Sequence, residues 1–268
     1  MNHKKLKASI RQICICIFLS VLMLSHTSKQ QVPSVKEKFY LYLLIGQSNM
    51  AGRAVVEPQD TIGDPRILCL NKNGQWVVAR EPLHFDKPKA AGVGPGLSFA
   101  RAMLSSLPSD AKIGLIPAAC GGSPIRVWAP GQFWDQTKSY PYDDAVRRTT
   151  IALQTGTLKG ILWHQGTADK SAPSVAVYKS RLISLVAALR KKFQAPDVPF
   201  IAGELGPLAG KEHPIDRILH EAKADISFYD IVSATGLAYN ADSVHFDSPS
   251  QRILGRRYAE KSKQFFRK

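Results

Sequence analysis

The chain has 268 residues and a formal net charge of +15, from 36 Lys and Arg against 21 Asp and Glu. This length fits one globular domain, and no internal repeat or long low-complexity linker divides it. The basic residues are scattered and form no recognisable nucleic-acid-binding motif. We therefore interpret the charge as a solubility property and expect no nucleic-acid partner.

The first 28 residues have the pattern of an export signal. An apolar run over residues 13–24 follows a basic start that has no acidic residue and contains Lys4, Lys5, Lys7 and Arg11. Such a run is short for a membrane span, so we predict a signal peptide and a periplasmic or extracellular location. Residues 25–28 match the pattern of a signal-peptide cleavage site poorly, so an uncleaved N-terminal anchor is the alternative. With the leader cleaved, we expect no stable membrane association.

The first feature beyond the leader is an apolar run that ends directly at a Gly-flanked serine. Residues 39–45 predict a buried strand, and Gly46-Gln47-Ser48 follows without a break. In open α/β sheets ligands bind beyond the carboxyl ends of the strands, so Ser48 is well placed to act as a nucleophile. The alternative is that Ser48 is only the N-cap of the next helix.

After residue 39 the chain alternates apolar runs with amphipathic segments. This order predicts an α/β domain over residues 36–268, a three-layer sandwich with a mostly parallel sheet between helices. The predicted strands are residues 39–45, 112–117, 160–164, 198–204 and 228–234, and the predicted helices are residues 96–107, 143–155, 175–193 and 248–266. Residues 53–93 form an insertion in which 67–70 and 76–78 read as a hairpin.

Four cysteines do not indicate a disulfide framework. Cys14 and Cys16 lie within the leader, so a processed chain would retain Cys69 and Cys120. An exported protein could join these two, but Cys120 directly precedes Gly121-Gly122, where a small packed residue fits. We therefore expect two free, buried thiols.

A carboxylate and a histidine stand three residues apart near the C-terminus, at Asp242 and His245. A nucleophilic serine needs a base, and the base needs an acceptor that fixes its tautomer. Most pairs of this spacing are solvated loop residues, so the assignment depends on its combination with Ser48.

Five sequence blocks together resemble the sialate O-acetylesterase-like branch of the SGNH hydrolases, which includes the acetylxylan esterases of carbohydrate esterase family six. In chain order they are residues 46–52 (GQSNMAG), 92–100 (GVGPGLSFA), 121–128 (GGSPIRVW), 163–166 (WHQG) and 242–246 (DSVHF). The resemblance implies a flavodoxin-like, five-stranded SGNH fold and a serine esterase that removes O-acetyl groups from carbohydrates. Ser48 would be its nucleophile, His245 its base and Asp242 the acid that orients the base.

The same resemblance implies an oxyanion hole. The backbone amides of Ser48 and Gly122 and the side-chain amide of Gln165 would be its donors. We also assign substrate contacts to Gln47, Asn49 and Trp128. For Trp128, ordinary packing is an equally good explanation.

The chain departs from the family pattern at Thr167, where relatives commonly carry a glutamate. Asp169 keeps its place, and we interpret it as a helix-capping carboxylate. His164 is expected to be a packed residue, and His84, His213 and His220 to lie at the surface or behind the site.

No spacing of His, Cys or Asp reproduces a zinc or calcium signature, so we expect no metal and no cofactor. Two alternatives stay open. The same serine could support lipase-like or thioesterase activity, or the chain could be a carbohydrate-binding protein that has lost turnover.

Overall fold

The computed structural model describes residues 32–207 and 210–266. The predicted leader, with Cys14 and Cys16, lies outside the described residues. Within them a seven-stranded sheet has the strand order β3-β2-β4-β1-β5-β6-β7. The strand bounds are β1 Phe39–Gly46, β2 Ile67–Leu70, β3 Trp76–Val78, β4 Lys112–Pro117, β5 Thr157–His164, β6 Phe200–Gly203 and β7 Tyr229–Val232.

All neighbouring strands pair in parallel except β2 and β3, which form an antiparallel hairpin. The hairpin occurs where the sequence predicts it, but the predicted five-stranded sheet is too small by two strands. The cause is the pairing of β2 alongside β4, which adds the whole hairpin to the sheet edge. A short local pattern predicts a hairpin but does not reveal which distant strand it joins.

The described residues contain six α-helices: α1 Ser48–Ala51, α2 Gly96–Leu104, α3 Pro141–Ala152, α4 Ala172–Phe193, α5 Pro214–Ala222 and α6 Ser248–Gln264. Helix α3 begins two residues before its predicted start because Pro141 occupies its first turn, where a missing N–H costs nothing. Helix α5 was not predicted. His213 caps it by accepting a hydrogen bond from the backbone N–H of Ile215, and a histidine is an unusual capping residue.

The central strand β1 separates two hydrophobic cores. Leu41, Leu43 and Ile45 face one core, and Tyr42 and Leu44 face the other, as the two-residue period of a strand requires. Helices α3, α4 and α5 pack on the first face and α2 and α6 on the second, which gives the predicted three layers.

Helix α4 is long and apolar enough, by length and composition alone, to cross a membrane. Its residues Tyr178, Leu182 and Leu189 are fully buried against the first core. Packing on the sheet therefore accounts for its apolar face.

The topology also creates a crevice. From β1 the chain first builds the side of the sheet that contains β2 and β4, and later the side that contains β5, β6 and β7. The carboxyl ends of β4, β1 and β5 therefore meet where the direction of winding changes, which is the usual ligand-binding position of such sheets. Ser48, Gly122 and Gln165 follow these three strands.

Candidate active site

The turn that carries Ser48 is shaped by a glycine at the end of β1. Gly46 has φ +127°, and a Cβ there would lie 2.2 Å from the carbonyl oxygen of His164. The backbone N–H of Gln47 donates to that same carbonyl at 2.9 Å. Gln47 is the N-cap residue of α1, and Ser48 is the first residue inside the helix and is 8% exposed. The N-cap interpretation of Ser48 is therefore wrong.

The structure brings Ser48, His245 and Asp242 together from opposite ends of the chain. Ser48 Oγ lies 2.8 Å from His245 Nε2, and His245 Nδ1 lies 2.6 Å from Asp242 Oδ2. A neutral imidazole with its proton on Nδ1 donates to Asp242 and leaves Nε2 free to accept the Ser48 proton. This is the geometry of a nucleophile, a base and the group that orients the base.

The loop of Asp242 and His245 is organised mainly by Asp242 itself. Its Oδ1 accepts the backbone N–H groups of Val244 and His245, both at 2.9 Å. Partial burial would raise the pKa of Asp242, but these two bonds and the His245 ring lower it to about 2. Asp242 is therefore ionised at neutral pH, as its role toward the imidazole requires.

Asn49 connects this loop to the nucleophile turn. Its Nδ2 donates to the carbonyl of Val244 at 3.0 Å, and its Oδ1 accepts the backbone N–H of Phe246 at 3.1 Å. Asn49 is 2% exposed, and its Oδ1 also accepts a hydrogen bond from Gln251 Nε2 of α6 at 3.2 Å. The predicted substrate contact of Asn49 is therefore wrong, because its side chain is used to clamp the backbone on both sides of His245.

Two backbone N–H groups that follow neighbouring strands have no acceptor among the described residues. Within the described part of the chain, the amides of Ser48 and Gly122 make no hydrogen bond, whereas Gly121 donates to Asp86 and Ser123 to Cys120. Gly122 has φ +76°, a conformation that favours glycine. Unused amides that follow neighbouring strands fit the donors of an oxyanion hole.

Gln165 has a different role from the predicted one. Its Nε2 donates to the carbonyl of Ser123 at 3.0 Å and to Asp169 Oδ2 at 2.6 Å, and the side chain is fully buried. Both amide hydrogens are therefore engaged, which contradicts its prediction as an oxyanion donor. Asp169 is not a helix cap either, since the same oxygen accepts the backbone N–H of Ile125 at 2.8 Å. The two side chains therefore hydrogen-bond to the backbone of the segment after Gly122, at Ser123 and Ile125.

Two other predicted substrate contacts are engaged within the fold. Trp128 is 2% exposed, donates from Nε1 to Ser123 Oγ at 3.0 Å and packs edge-on against Trp163. Its substrate contact is wrong, and packing is its role. Gln47 Oε1 accepts the backbone N–H of Gly166 at 3.1 Å. Its amide nitrogen has no acceptor among residues 32–207 and 210–266, so a substrate contact there stays a prediction.

The remaining histidines differ in burial, and both cysteines of the described chain are buried. His164 is packed, as predicted, and its Nδ1 lies 3.3 Å from the Tyr258 hydroxyl. His84 and His213 are buried rather than at the surface, and only His220 of the three is exposed. Cys69 and Cys120 are free and buried, which confirms the expected thiols. Among the described residues, no group of three or more His, Cys, Asp or Glu could hold a metal ion.

Sequence reasoning missed the side chains that hold the Gly121-Gly122 turn. Asp86 Oδ2 accepts the N–H of Gly121 at 2.7 Å and pairs with Arg53 at 2.7 Å. Gln136 lies against the other side, where a Cβ on Gly122 would be 2.6 Å from its Oε1. These residues come from the insertion and from a loop, neither of which carries a motif that marks them.

Comparisons with known proteins identify the family. A model of the family described as "Carbohydrate esterase, sialic acid-specific acetylesterase" matches residues 38–264. A probable carbohydrate esterase of Arabidopsis thaliana is 32% identical over 248 residues, which are 85% of this chain and 91% of that protein.

Solved structures show the same fold. The crystal structure of the Arabidopsis protein superposes with a TM-score of 0.74 at 29% identity, over 84% of this chain and 98% of that one. The structure of NanS has a TM-score of 0.68 at 21% identity, over 88% of this chain and 99% of its own. A carbohydrate acetylesterase of Xanthomonas citri gives 0.63 at 20% identity, over 84% of this chain and 56% of that one. The family match covers nearly all of the described chain, and the protein accordingly belongs to the sialic acid-specific acetylesterase family of carbohydrate esterases.

Proposed function

We propose that this carbohydrate esterase removes O-acetyl groups from a carbohydrate through an acyl-enzyme on Ser48. One observation carries the proposal: Ser48, His245 and Asp242 form a hydrogen-bonded series at the carboxyl end of β1, and the backbone amides of Ser48 and of Gly122, which follows the neighbouring strand β4, have no acceptor in the described chain. The family and the Xanthomonas protein are both described as acetylesterases, which supports the choice of an acetyl ester.

The chemistry follows from the positions of the three side chains. His245 Nε2 takes the Ser48 proton as Oγ attacks the acetyl carbonyl, and the amides of Ser48 and Gly122 stabilise the oxyanion. The imidazolium is stabilised by Asp242 and gives its proton to the departing sugar oxygen. His245 then activates a water molecule, which releases acetate and restores Ser48.

The oxyanion hole in this proposal has two backbone donors. Loss of one preorganised donor typically costs about 2.7–4 kcal/mol of barrier. Gln165 contributes indirectly, because it fixes the carbonyl of Ser123 directly after Gly122. A Gln165→Glu variant would keep the shape of the side chain but remove the N–H donors.

The decisive experiment has two measurements. Acetate release is measured on acetylated xylan, pectin, sialic acid and peptidoglycan, and a fluorophosphonate probe is applied to wild type and Ser48→Ala. We expect acetate from at least one substrate and labelling of the wild type alone. Equal labelling of both proteins, or no release of acetate from any substrate, would overturn the proposal.

The same measurements separate the two alternatives. A lipase-like enzyme would hydrolyse p-nitrophenyl octanoate as well as the acetate ester, whereas we expect activity on the acetate only. A carbohydrate-binding protein without turnover would not react with the probe. The approach of His245 to Ser48 at hydrogen-bond distance favours an active enzyme.

We further propose that the protein is exported, on the basis of the basic and apolar pattern of residues 1–28. Fractionation of the native cells, followed by mass spectrometry of the mature N-terminus, tests this and distinguishes a cleaved signal from an anchor. Recovery of the full-length chain in the cytoplasm would contradict export.

A further inference from the structure

The peptide group between Gly121 and Gly122 is the central peptide of a β-turn. The backbone N–H of Ser123 donates to the carbonyl of Cys120 at 3.2 Å, which closes the turn around the two glycines. The φ of Gly121 is not positive and that of Gly122 is +76°, the combination found in a type II turn. A type I turn differs from it by a rotation of the central peptide of roughly 180°. Because glycine accepts either sign of φ, this sequence permits both orientations.

The orientation of this peptide decides where the N–H of Gly122 points. A trans peptide is planar, and its C=O and N–H groups point in opposite directions. Whatever fixes the carbonyl of Gly121 therefore also fixes the N–H of Gly122. Rotation of the peptide to the type I orientation would turn that N–H away from its present direction, and the site would lose one of the two donors proposed above.

The side chain of Trp134 holds the carbonyl of this peptide. Its Nε1 donates to the Gly121 carbonyl oxygen at 3.1 Å, so the N–H of Gly122 points away from the indole ring. The backbone N–H groups before it have other partners, since Cys120 donates to the Gly46 carbonyl at 2.9 Å and Gly121 to Asp86 Oδ2 at 2.7 Å. The hydrogen bond from Trp134 therefore acts on the one peptide of the turn that carries the unused N–H.

Trp134 is itself fixed within its loop. Its backbone exchanges two hydrogen bonds with Ser139, at 2.8 and 3.3 Å. The half-buried ring packs against the first hydrophobic core, and the Arg126 guanidinium lies 5.9 Å from the ring centroid on its face. The indole N–H is therefore positioned before any substrate binds, which is what a preorganised donor group requires.

The same hydrogen bond also affects the strength of the donor. A carbonyl that accepts a hydrogen bond polarises its amide, and neighbouring bonds in such a series are strengthened by perhaps about 10–30% each. The benefit is largest when the partner of the Gly122 N–H carries a negative charge, as it does in the tetrahedral intermediate. An interaction that is stronger in the transition state than in the ground state raises kcat and leaves KM nearly unchanged.

We propose that Trp134 is a positioning residue of the oxyanion hole. Its indole N–H holds the Gly121–Gly122 peptide in the orientation that directs the N–H of Gly122 at the developing oxyanion. Trp134 acts through this peptide and contacts no reacting atom. The role rests on the proposed function, since it takes the Gly122 N–H to be an oxyanion donor.

The direct test replaces Trp134 by benzothienylalanine through suppression of a single amber codon, because sulfur then replaces the indole N–H at nearly unchanged shape. We expect kcat on p-nitrophenyl acetate to fall about 5- to 50-fold, less than the roughly 10²–10³-fold for outright loss of an oxyanion donor. KM should stay within about two-fold. The same replacement at Trp76 is the control and should leave kcat unchanged. Its Nε1 donates to Thr155 Oγ1 at 3.0 Å, and its ring packs on Phe39, at the other end of β1 from the site.

An inhibitor that forms an oxyanion distinguishes positioning from a structural role. Ser48 Oγ adds to the carbonyl carbon of trifluoroacetone, His245 takes the proton, and the carbonyl oxygen becomes an alkoxide. The inhibition constant should rise in the Trp134 variant by the same factor as kcat falls. A structural defect that lowers the fraction of active protein would lower kcat and leave the inhibition constant unchanged.

Trp134→Phe repeats the test with an ordinary residue, with Trp76→Phe as its control. We expect a loss of kcat at least as large as with benzothienylalanine. Three results overturn the positioning role while the esterase proposal stands: kcat within about two-fold of the wild type in both Trp134 variants, a change confined to KM, or a lower kcat with an unchanged inhibition constant. If the wild type neither hydrolyses p-nitrophenyl acetate nor reacts with the fluorophosphonate probe, the esterase proposal fails, and the positioning role fails with it.

Discussion

The two halves of the candidate site are held in place by different parts of the structure. Ser48 follows the central strand, and the backbone around it bonds to both neighbouring strand ends, with Gln47 N donating to His164 O and Cys120 N to Gly46 O. His245 lies on a surface loop over residues 239–247, which the Asn49 side chain connects to the nucleophile turn.

The two halves of the site therefore depend on different interactions. The nucleophile is fixed by the packing of the sheet, so no single side chain decides where it lies. The candidate base has a local support, Asp242, and two connections to the body of the protein: the Asn49 side chain and the fully buried ring of Phe246, which packs against His164. Residues 241–244 are exposed, and exposed segments open more readily than a packed sheet, so the distance between Ser48 Oγ and His245 Nε2 depends mainly on this loop.

The largest expected effect is the loss of either partner of the central hydrogen bond. Ser48→Ala and His245→Ala should each lower kcat on p-nitrophenyl acetate by roughly 10⁴-fold or more, and the double variant should lose little beyond that. Members of one proton-transfer unit are not additive. Ser180→Ala, on the exposed side of α4, is the control. Near-wild-type turnover by either variant would show that the two halves do not act together.

Asp242→Asn tests the local support of the base. The amide cannot stabilise the imidazolium and favours the wrong tautomer, so kcat should fall by roughly 10²–10⁴-fold. Initial-rate assays of the wild type, Asp242→Asn and the control Asp225→Asn measure this loss of kcat. Circular dichroism should show an unchanged fold, because Asp242 is a surface residue. A loss smaller than about ten-fold would indicate that His245 is oriented by another group.

Asn49→Ala tests the connection between the halves. It leaves the three reacting side chains in place but removes the clamp on Val244 and Phe246. We expect kcat to fall by roughly 10–100-fold, with a loss of stability of about 1–3 kcal/mol from the unsatisfied groups. Asn73→Ala, in the exposed β2–β3 turn, is the matched control. Unchanged kcat in Asn49→Ala would mean that the loop positions His245 without help from the sheet.

Changes of pH should affect the stability of the nucleophile half through Glu81. Burial raises the pKa of Glu81 from 4.5 to about 8, and its neighbour Gly94 packs directly on the backbone of Met50 in α1. The folded protein therefore keeps a proton between pH 4.5 and 8 that the unfolded chain releases, and stability falls as pH rises through this window.

Denaturation of wild type and Glu81→Gln across this window measures the effect. We expect the wild type to lose on the order of a few kcal/mol relative to Glu81→Gln as pH rises from 4.5 to 8. Glu260→Gln, on the exposed side of α6, should follow the wild type. Parallel curves for wild type and Glu81→Gln would show that Glu81 is ionised in the folded protein.

The smallest effect concerns Thr167, where relatives commonly carry a glutamate. Gln47 Oε1 bonds the backbone on both sides of Thr167, at Gly166 and Ala168, so this loop lies next to the nucleophile turn. If a glutamate here supplies a second acceptor to His245, Thr167→Glu should restore kcat/KM of Asp242→Ala up to about ten-fold. Strictly additive losses in the double variant would exclude that role.

The sequence by itself determined the features that local patterns encode. The apolar run that ends at Gly46 predicts both the central strand and the position of Ser48, because strand periodicity and a glycine-dependent turn are local properties. The Asp242-x-x-His245 spacing likewise predicts a contact within one loop, because the two residues lie three positions apart. Short segments therefore predict the three candidate residues, Ser48, His245 and Asp242, and it is their combination that marks them as a site.

Only the tertiary structure decided what the polar side chains between these segments do. Asn49, Gln165 and Trp128 have the right chemistry for a substrate site, yet each makes its hydrogen bonds within the fold. Asp86 and Gln136 carry no motif, yet both lie against the oxyanion turn. The reason is physical: a side-chain amide or carboxylate binds whichever donor or acceptor the fold places about 3 Å away, and that partner is set by the pairing and packing of segments far apart in the chain.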